Sequence, residues 1–183
     1  MDDLGLELKF AGGAPVLTEG EAGTHVIEGY ASLFGVADQG GDIVAAGAYA
    51  ESLRRLAAKG DKVRMLWQHD PGQPIGIWDE VREDAKGLWV RGRLLPEVAQ
   101  AREAAALIAA GAIDGLSIGY RTVRAERDAQ GRRVLTEVEL WEVSLVTFPM
   151  LREAKVGRKS SDELAEAEDL AETLRAAAAV LRG

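Results

Sequence analysis

Short runs in which apolar and polar residues alternate recur along the chain, and turn residues close most of them. Alternation with a period of two is typical of a half-buried strand, so each run predicts a β-strand. The predicted strands are residues 4–10, 25–34, 62–69, 75–82, 88–95, 115–126 and 132–147. Two stretches of good helix formers, residues 48–59 and 97–110, are each followed by a glycine and predict helices. This order predicts an α+β domain: a mainly antiparallel β-barrel of about seven strands with interspersed helices.

The end of the chain predicts one more helix. Ser160 and Glu163 have the spacing of a capping box, and alanines and leucines then follow in alternating steps of four and three residues. We therefore expect a barrel domain in residues 1–157 and a helical tail in residues 158–183. The tail either packs on its own barrel or binds a partner, which includes a second copy of the chain in a homodimer.

Composition excludes several kinds of chemistry and location. The 183 residues contain no cysteine, which excludes thiol proteases, disulfide scaffolds and cysteine-ligated metal centres. The first residues do not have the pattern of a signal peptide, and the longest uncharged apolar stretch, residues 104–113, is too short to cross a bilayer. We expect a cytoplasmic protein with no membrane partner.

Charge and motifs exclude further classes. Residues 1–50 hold eight carboxylates and a single cation, Lys9, whereas nucleic-acid binding needs clustered Lys and Arg, so no nucleic-acid partner is expected. The chain has no glycine-rich phosphate-binding loop. Its two histidines, His25 and His69, are too far apart in sequence for a two-histidine zinc motif, so neither a cofactor nor a metal is expected.

One string matches the pattern of a nucleophilic serine, namely Gly115-Leu116-Ser117-Ile118-Gly119. The context excludes an α/β-hydrolase, because a helix precedes the motif and both histidines lie upstream of it. On a strand, Ser117 and its flanking glycines point away from the apolar face, which would leave room for a substrate backbone. Ser117 is therefore either a nucleophile on another scaffold or an ordinary small residue on a bent strand.

A serine nucleophile needs a base and a group that orients the base. His69 is the better histidine, since it closes a predicted strand beside a turn, whereas His25 is expected at the surface. Glu142 falls on the apolar side of its predicted strand and should have a partner, either His69 or an arginine. Asp70 and Asp114 remain alternatives for the orienting carboxylate, and Ser144 for the nucleophile.

Four ordered blocks resemble a known family, the prohead (capsid maturation) serine proteases of tailed bacteriophages, which are related to the herpesvirus assemblins. The blocks are Glu28-Gly29-Tyr30-Ala31-Ser32-Leu33-Phe34, Met65-Leu66-Trp67-Gln68-His69-Asp70-Pro71, Gly115-Leu116-Ser117-Ile118-Gly119-Tyr120 and Trp141-Glu142-Val143-Ser144-Leu145-Val146-Thr147-Phe148-Pro149. Together they cover roughly residues 25–156. The compact chain would suit a prophage or gene-transfer-agent member of the family.

The resemblance implies an assemblin-like barrel and a serine endopeptidase. It implies Ser117 as nucleophile, His69 as general base and Glu142 as third catalytic residue. The implied substrates are a scaffold protein or the scaffolding segment of the major capsid protein, cleaved inside the immature capsid in the host cytoplasm, together with self-cleavage. The alternative is a non-catalytic barrel that acts as a capsid assembly partner.

Overall fold

The computed structural model describes residues 7–10, 16–19, 24–38 and 40–147. The predicted tail helix of residues 158–183, the domain boundary before it and any homodimer contact through it lie outside the described residues. Within the described residues, no helix is both long and apolar enough to span a bilayer.

Strands dominate the described part of the chain. They are β1 (Glu7–Phe10), β2 (Val16–Glu19), β3 (His25–Leu33), β4 (Ile43–Val44), β5 (Arg64–Trp67), β6 (Asp70–Glu83), β7 (Gly87–Leu94), β8 (Gly115–Arg127) and β9 (Arg133–Val146). The helices are α1 (Ala50–Lys59), between β4 and β5, and α2 (Ala99–Ala109), between β7 and β8. Both predicted helices are present and begin two residues later than predicted. β2 and β4 were not predicted, because strands of four and two residues show too little alternation to recognise.

All these strands belong to one mixed sheet. Hydrogen-bonded neighbours follow the order β1-β8-β9-β5-β6-β7-β3-β2, and β4 pairs with β9 beside this path. β9 runs parallel to β4 and β5, and the other pairs are antiparallel. The described strands do not form the predicted closed barrel, because their ladder ends at β1 and β2. The sheet is nevertheless strongly curved, since β8 and β3, with four strands between them, come into contact.

The curved sheet and the helices enclose one apolar core. α2 contributes a row of small residues and one isoleucine to it: Ala101, Ala104, Ala105 and Ile108. α1 is fixed to β9 through the backbone of that strand. The Leu140 N–H donates to Ser52 Oγ at 2.9 Å, and just before the helix the carbonyl of Ala48 accepts from the Val138 N–H at 3.0 Å. β9 therefore lies between β8, β5 and α1, where its geometry is fixed from three sides.

Candidate active site

A two-residue turn between β5 and β6 places His69. Trp67 and Asp70 are paired across the hairpin, so Gln68 and His69 form the whole loop. Both have positive φ angles, 50° and 63°, which is the signature of a type I′ turn. The sequence predicted a strand through residue 69 and a turn after it; instead the turn is at residues 68–69 and Asp70 already belongs to β6. A left-handed conformation costs a non-glycine residue of order 1–3 kcal/mol, so surrounding contacts must hold this turn.

The end of β9 and the residue that follows it hold the turn. The Gln68 N–H donates to the carbonyl of Leu145 at 3.0 Å, and its side-chain amide donates to Thr147 Oγ1 at 2.6 Å. The His69 N–H donates to Ser144 Oγ at 3.1 Å. The position of the imidazole is therefore set by β9 and not only by the hairpin that carries it.

A β-bulge in β9 determines which face Glu142 occupies. Tyr120 of β8 pairs with Leu140, but the preceding Gly119 pairs with Glu142, which leaves Trp141 as the extra residue. Direct partners in a ladder point to the same face, so Leu140 faces the core with Tyr120 while Glu142 faces the opposite side. The sequence prediction that Glu142 shares the apolar face of Leu140 is therefore wrong, because strict alternation fails at the bulge.

His69 and Glu142 form a close imidazole–carboxylate pair. The ring Nδ1 and Glu142 Oε1 are 2.6 Å apart. The other carboxylate oxygen, Oε2, accepts a 2.5 Å hydrogen bond from the hydroxyl of Ser144. The two side chains are only 14% and 8% exposed, so the pair is shielded from water. With Nδ1 engaged by the carboxylate, Nε2 is the ring nitrogen left to exchange a proton with a third group.

The carboxylate bonded to the imidazole is thus Glu142, and its partner is the histidine rather than an arginine. Asp70 has other partners, since its two oxygens accept from the backbone N–H of Gly72 at 2.8 Å and the side-chain amide of Gln73 at 2.7 Å. Asp114 lies just before β8. Burial of a carboxylate requires compensating hydrogen bonds, and Glu142 receives them from the site itself.

Ser117 lies on the same face of the sheet as this pair. It is the direct partner of Ser144, and Gly119 is the direct partner of Glu142. His69 bonds both Ser144 and Glu142, so its ring is held over the face to which Ser117 points. Ser117 is fully buried. The structure therefore brings all three predicted site residues to one face, from β8, the β5–β6 turn and β9, whereas His25 lies on β3 opposite Leu94.

Gly119 makes room for the Glu142 carboxylate. A Cβ atom at position 119 would lie 2.2 Å from Glu142 Oε1 and about 3 Å from its Cδ and Cγ atoms. Real Cβ atoms do not approach other heavy atoms so closely. The sequence predicts that the glycines beside Ser117 leave room for a substrate; at position 119 the space is instead filled by the carboxylate that contacts His69.

The hydroxyl of Ser144, the alternative nucleophile, is already engaged. It donates to Glu142 and accepts from the His69 N–H, and Ser144 is fully buried. A nucleophilic serine must give its proton to a base, whereas this hydroxyl gives its hydrogen bond to the carboxylate. Ser144 is suited to hold His69 and Glu142 in place. The sequence did not reveal this role, because it depends on the bulge in β9 and on the turn at residues 68–69, and neither has a clear sequence signal.

Comparison with known proteins shows the family to which the chain belongs. The chain matches the model of the caudovirus prohead serine proteases over residues 15–169. It belongs to this family. The prohead protease of enterobacteria phage HK97 is 34% identical over an alignment of 173 residues, which covers 92% of this chain and 72% of the phage protein. The capsid assembly protease of bacteriophage T4 has a similar fold, with a TM-score of 0.64 at 18% identity over 77% of this chain and 96% of the other.

The resemblance found in the sequence blocks is thereby confirmed. Membership of the prohead family supports a role as a protease in capsid maturation, and the likeness to the T4 protein supports the fold. Among the residues that the structure describes, no group of three or more His, Asp or Glu side chains is placed to hold a metal ion.

Proposed function

We propose that the chain is a serine endopeptidase in which Ser117 is the nucleophile, His69 the general base and Glu142 the residue that orients the imidazole. One observation carries the proposal: the 2.6 Å contact between His69 Nδ1 and Glu142 Oε1, on the face of the sheet to which Ser117 points. A serine, a histidine and a buried carboxylate in this arrangement have the chemistry of acyl transfer.

The proton steps follow from the arrangement. In this proposal Glu142 accepts the Nδ1–H of His69, so Nε2 is the ring nitrogen that acts as the base toward Ser117. Nε2 takes the Ser117 proton as the hydroxyl oxygen attacks the scissile carbonyl, and then gives that proton to the leaving amine. Water repeats the sequence on the acyl-enzyme and releases the second product. Glu142 stays ionised and stabilises the imidazolium that forms between the two transfers.

The proposed substrates are a scaffold protein or the scaffolding segment of the major capsid protein, cleaved inside the immature capsid in the host cytoplasm. Self-cleavage is part of the same proposal, because the enzyme is enclosed with its substrates. Family membership supports this setting. It does not favour the alternative of a non-catalytic assembly partner, which would have no need of the buried imidazole–carboxylate pair.

The test of the site is covalent labelling with a fluorophosphonate, followed by peptide mapping. We expect an adduct on Ser117 that is lost in a His69→Ala protein, since only an activated serine reacts efficiently. The Ser144→Ala protein is the matched control and should still carry the adduct on Ser117. An adduct on Ser144 in the unchanged protein would contradict the assignment of the nucleophile.

The test of the substrate is co-expression with the capsid and scaffold proteins of the same phage-like element. We expect their processing in the presence of the unchanged chain and none with Ser117→Ala. Glu142→Gln should retain more processing than His69→Ala, because an orienting residue is only part of the machinery. Normal processing by a folded Ser117→Ala protein would refute the proposed function.

A further inference from the structure

The strand that carries Ser117 has two neighbours of very different size. On one side lies β9, fourteen residues long and paired with β8 along its whole length. On the other side lies β1, four residues long, whose residues pair only with residues 117–120. Phe10 is the direct partner of Ser117. The backbone edge beside the proposed nucleophile is therefore occupied by a short strand of the same chain, and Ser117 is fully buried.

The side chain of Glu7 anchors β1 to the rest of the sheet. Glu7 accepts hydrogen bonds from the hydroxyl of Thr122 and from the guanidinium of Arg133. The Thr122 Oγ1–Glu7 Oε1 distance and the Arg133 Nη1–Glu7 Oε2 distance are both 2.5 Å. Arg133 also bonds Asp42 at 2.8 Å. The Arg133 hydrogen bond holds the pKa of the Glu7 carboxyl below its usual value. At the outer end of a four-residue strand, this charge pair is a main point of attachment.

We propose that the outer edge of β8 at residues 117–120 is the binding site for an extended segment of the polypeptide substrate, and that Glu7–Phe10 occupies it as a built-in competitor. The inference rests on the proposed function, since it takes Ser117 as the nucleophile. An extended peptide binds a sheet edge through its backbone groups, and this edge is the one next to the reacting hydroxyl.

The register of β1 specifies the substrate segment. The segment runs antiparallel to β8, as β1 does, and the residue that takes the place of Phe10 lies beside Ser117 next to the scissile bond. The substrate residue that takes the place of Glu7 lies three residues before the one that takes the place of Phe10. At that position Thr122 and Arg133 offer a hydroxyl and a guanidinium, which now bind Glu7. The site therefore favours strand-forming segments with a carboxylate at that position. β1 is the neighbour that can leave, because it is far shorter than β9.

The first experiment measures the rate at which a fluorophosphonate labels Ser117 in the full chain. Glu7→Arg places a cation against Arg133 and should detach β1, so we expect labelling to be faster by roughly tenfold or more, the scale of a lost hydrogen-bonded charge pair. Glu7→Gln keeps the shape and removes the charge, and should give a smaller increase. The matched control is Glu28→Arg, which breaks a similar cross-strand pair with Arg91 on β3 and β7 and should leave the rate unchanged.

The outcomes separate this inference from the proposed function. Labelling of Ser117 at the same rate in the unchanged, Glu7→Gln and Glu7→Arg proteins would overturn the inference alone. Absence of label on Ser117 in all of them would refute the nucleophile itself and the inference with it. Hydrogen–deuterium exchange at residues 117–120 reports the detachment directly, and should be faster in Glu7→Arg than in Glu28→Arg.

The second experiment tests whether the edge accepts a peptide from solution. A synthetic peptide with the sequence of residues 4–12 is added to the Glu7→Arg protein. It should fill the vacated edge and slow labelling toward the rate of the unchanged protein, whereas the same peptide with arginine at position 7 should not. If both peptides leave the labelling rate unchanged, the edge is not a peptide-binding site and the inference fails.

Discussion

Replacing Gly119 with alanine should disable the site while leaving the fold intact. The added methyl group would lie 2.2 Å from Glu142 Oε1, whereas non-bonded carbon and oxygen atoms require about 3.5 Å. The carboxylate must therefore move by more than about 1 Å. The atom that moves is the one that contacts His69 Nδ1 at 2.6 Å, so this contact is lost.

The size of the effect follows from what the contact does. A misplacement of about 1 Å in a catalytic group costs roughly 10²-fold in rate, and complete loss of the orienting carboxylate in a serine protease costs about 10⁴-fold. We therefore expect kcat/KM to fall by about 10² to 10⁴. The free energy of unfolding should fall by about 1–3 kcal/mol, because the displaced carboxylate is buried and loses a hydrogen bond. The chain should still fold, since the clash is with a side chain and not with backbone.

The assay is a double-mutant cycle with Glu142→Ala, read out as kcat/KM and as the rate of Ser117 labelling. If the methyl group acts only by displacing the carboxylate, Gly119→Ala should have no further effect once Glu142 is truncated. Gly40→Ala is the matched control, since the nearest atom to its Cβ, Asp38 Oδ1, is at 3.3 Å. Equal losses for Gly119→Ala in both backgrounds would refute this reasoning and would restore the interpretation that the glycine admits substrate.

Two further changes test the surroundings of the site and of the fold. Ser144→Ala removes a donor to Glu142 and leaves the His69 N–H without its acceptor, so we expect kcat to fall about 10- to 100-fold with KM nearly unchanged, measured by steady-state kinetics. Several hydrogen bonds lower the pKa of Asp84 to about 2, and the one from the backbone N–H of Lys86 has the largest effect. The ionised Asp84 carboxylate therefore contributes its full stabilisation above about pH 4 and loses it as the pH falls toward 2. The midpoint of thermal unfolding of Asp84→Asn should accordingly depend less on pH in this range than that of the unchanged protein.

The regular elements were predictable because their signals are local. Gly60 ends α1 with a φ of 69°, the left-handed conformation that glycine adopts at a helix end. The hairpin between β8 and β9 turns at residues 128–131. Asp128 begins this turn and Gly131, with a positive φ, ends it, and the Gly131 N–H donates to the carbonyl of Asp128. The order of the strands in the sheet was not predictable, because pairing between distant segments such as β1 and β8 leaves no periodic trace in either of them.

The candidate residues were predictable by type, but their arrangement was not. Gln68 and His69 are not residues that favour a type I′ turn, so nothing in the sequence indicates that the chain reverses there. The turn is stabilised by distant contacts, among them the hydrogen bonds from its two N–H groups to Ser144 Oγ and to the carbonyl of Leu145. The sequence therefore identified the histidine but predicted it at the end of a strand, whereas it lies in the turn between β5 and β6.

The bulge at Trp141 connects these observations. In a regular strand Glu142 would point to the same face as Leu140, into an apolar core that offers a carboxylate no partners. One extra residue reverses the alternation, so that Val138 and Leu140 before it pack in the core while Glu142 and Ser144 after it face the site. The Leu140 N–H at the start of the bulge is held by Ser52 of α1, so the helix supports the irregularity on which the site depends. The placement of the carboxylate is thus a property of how β8, β9 and α1 pack together, which is why it could not be read from the spacing of residues along β9 alone.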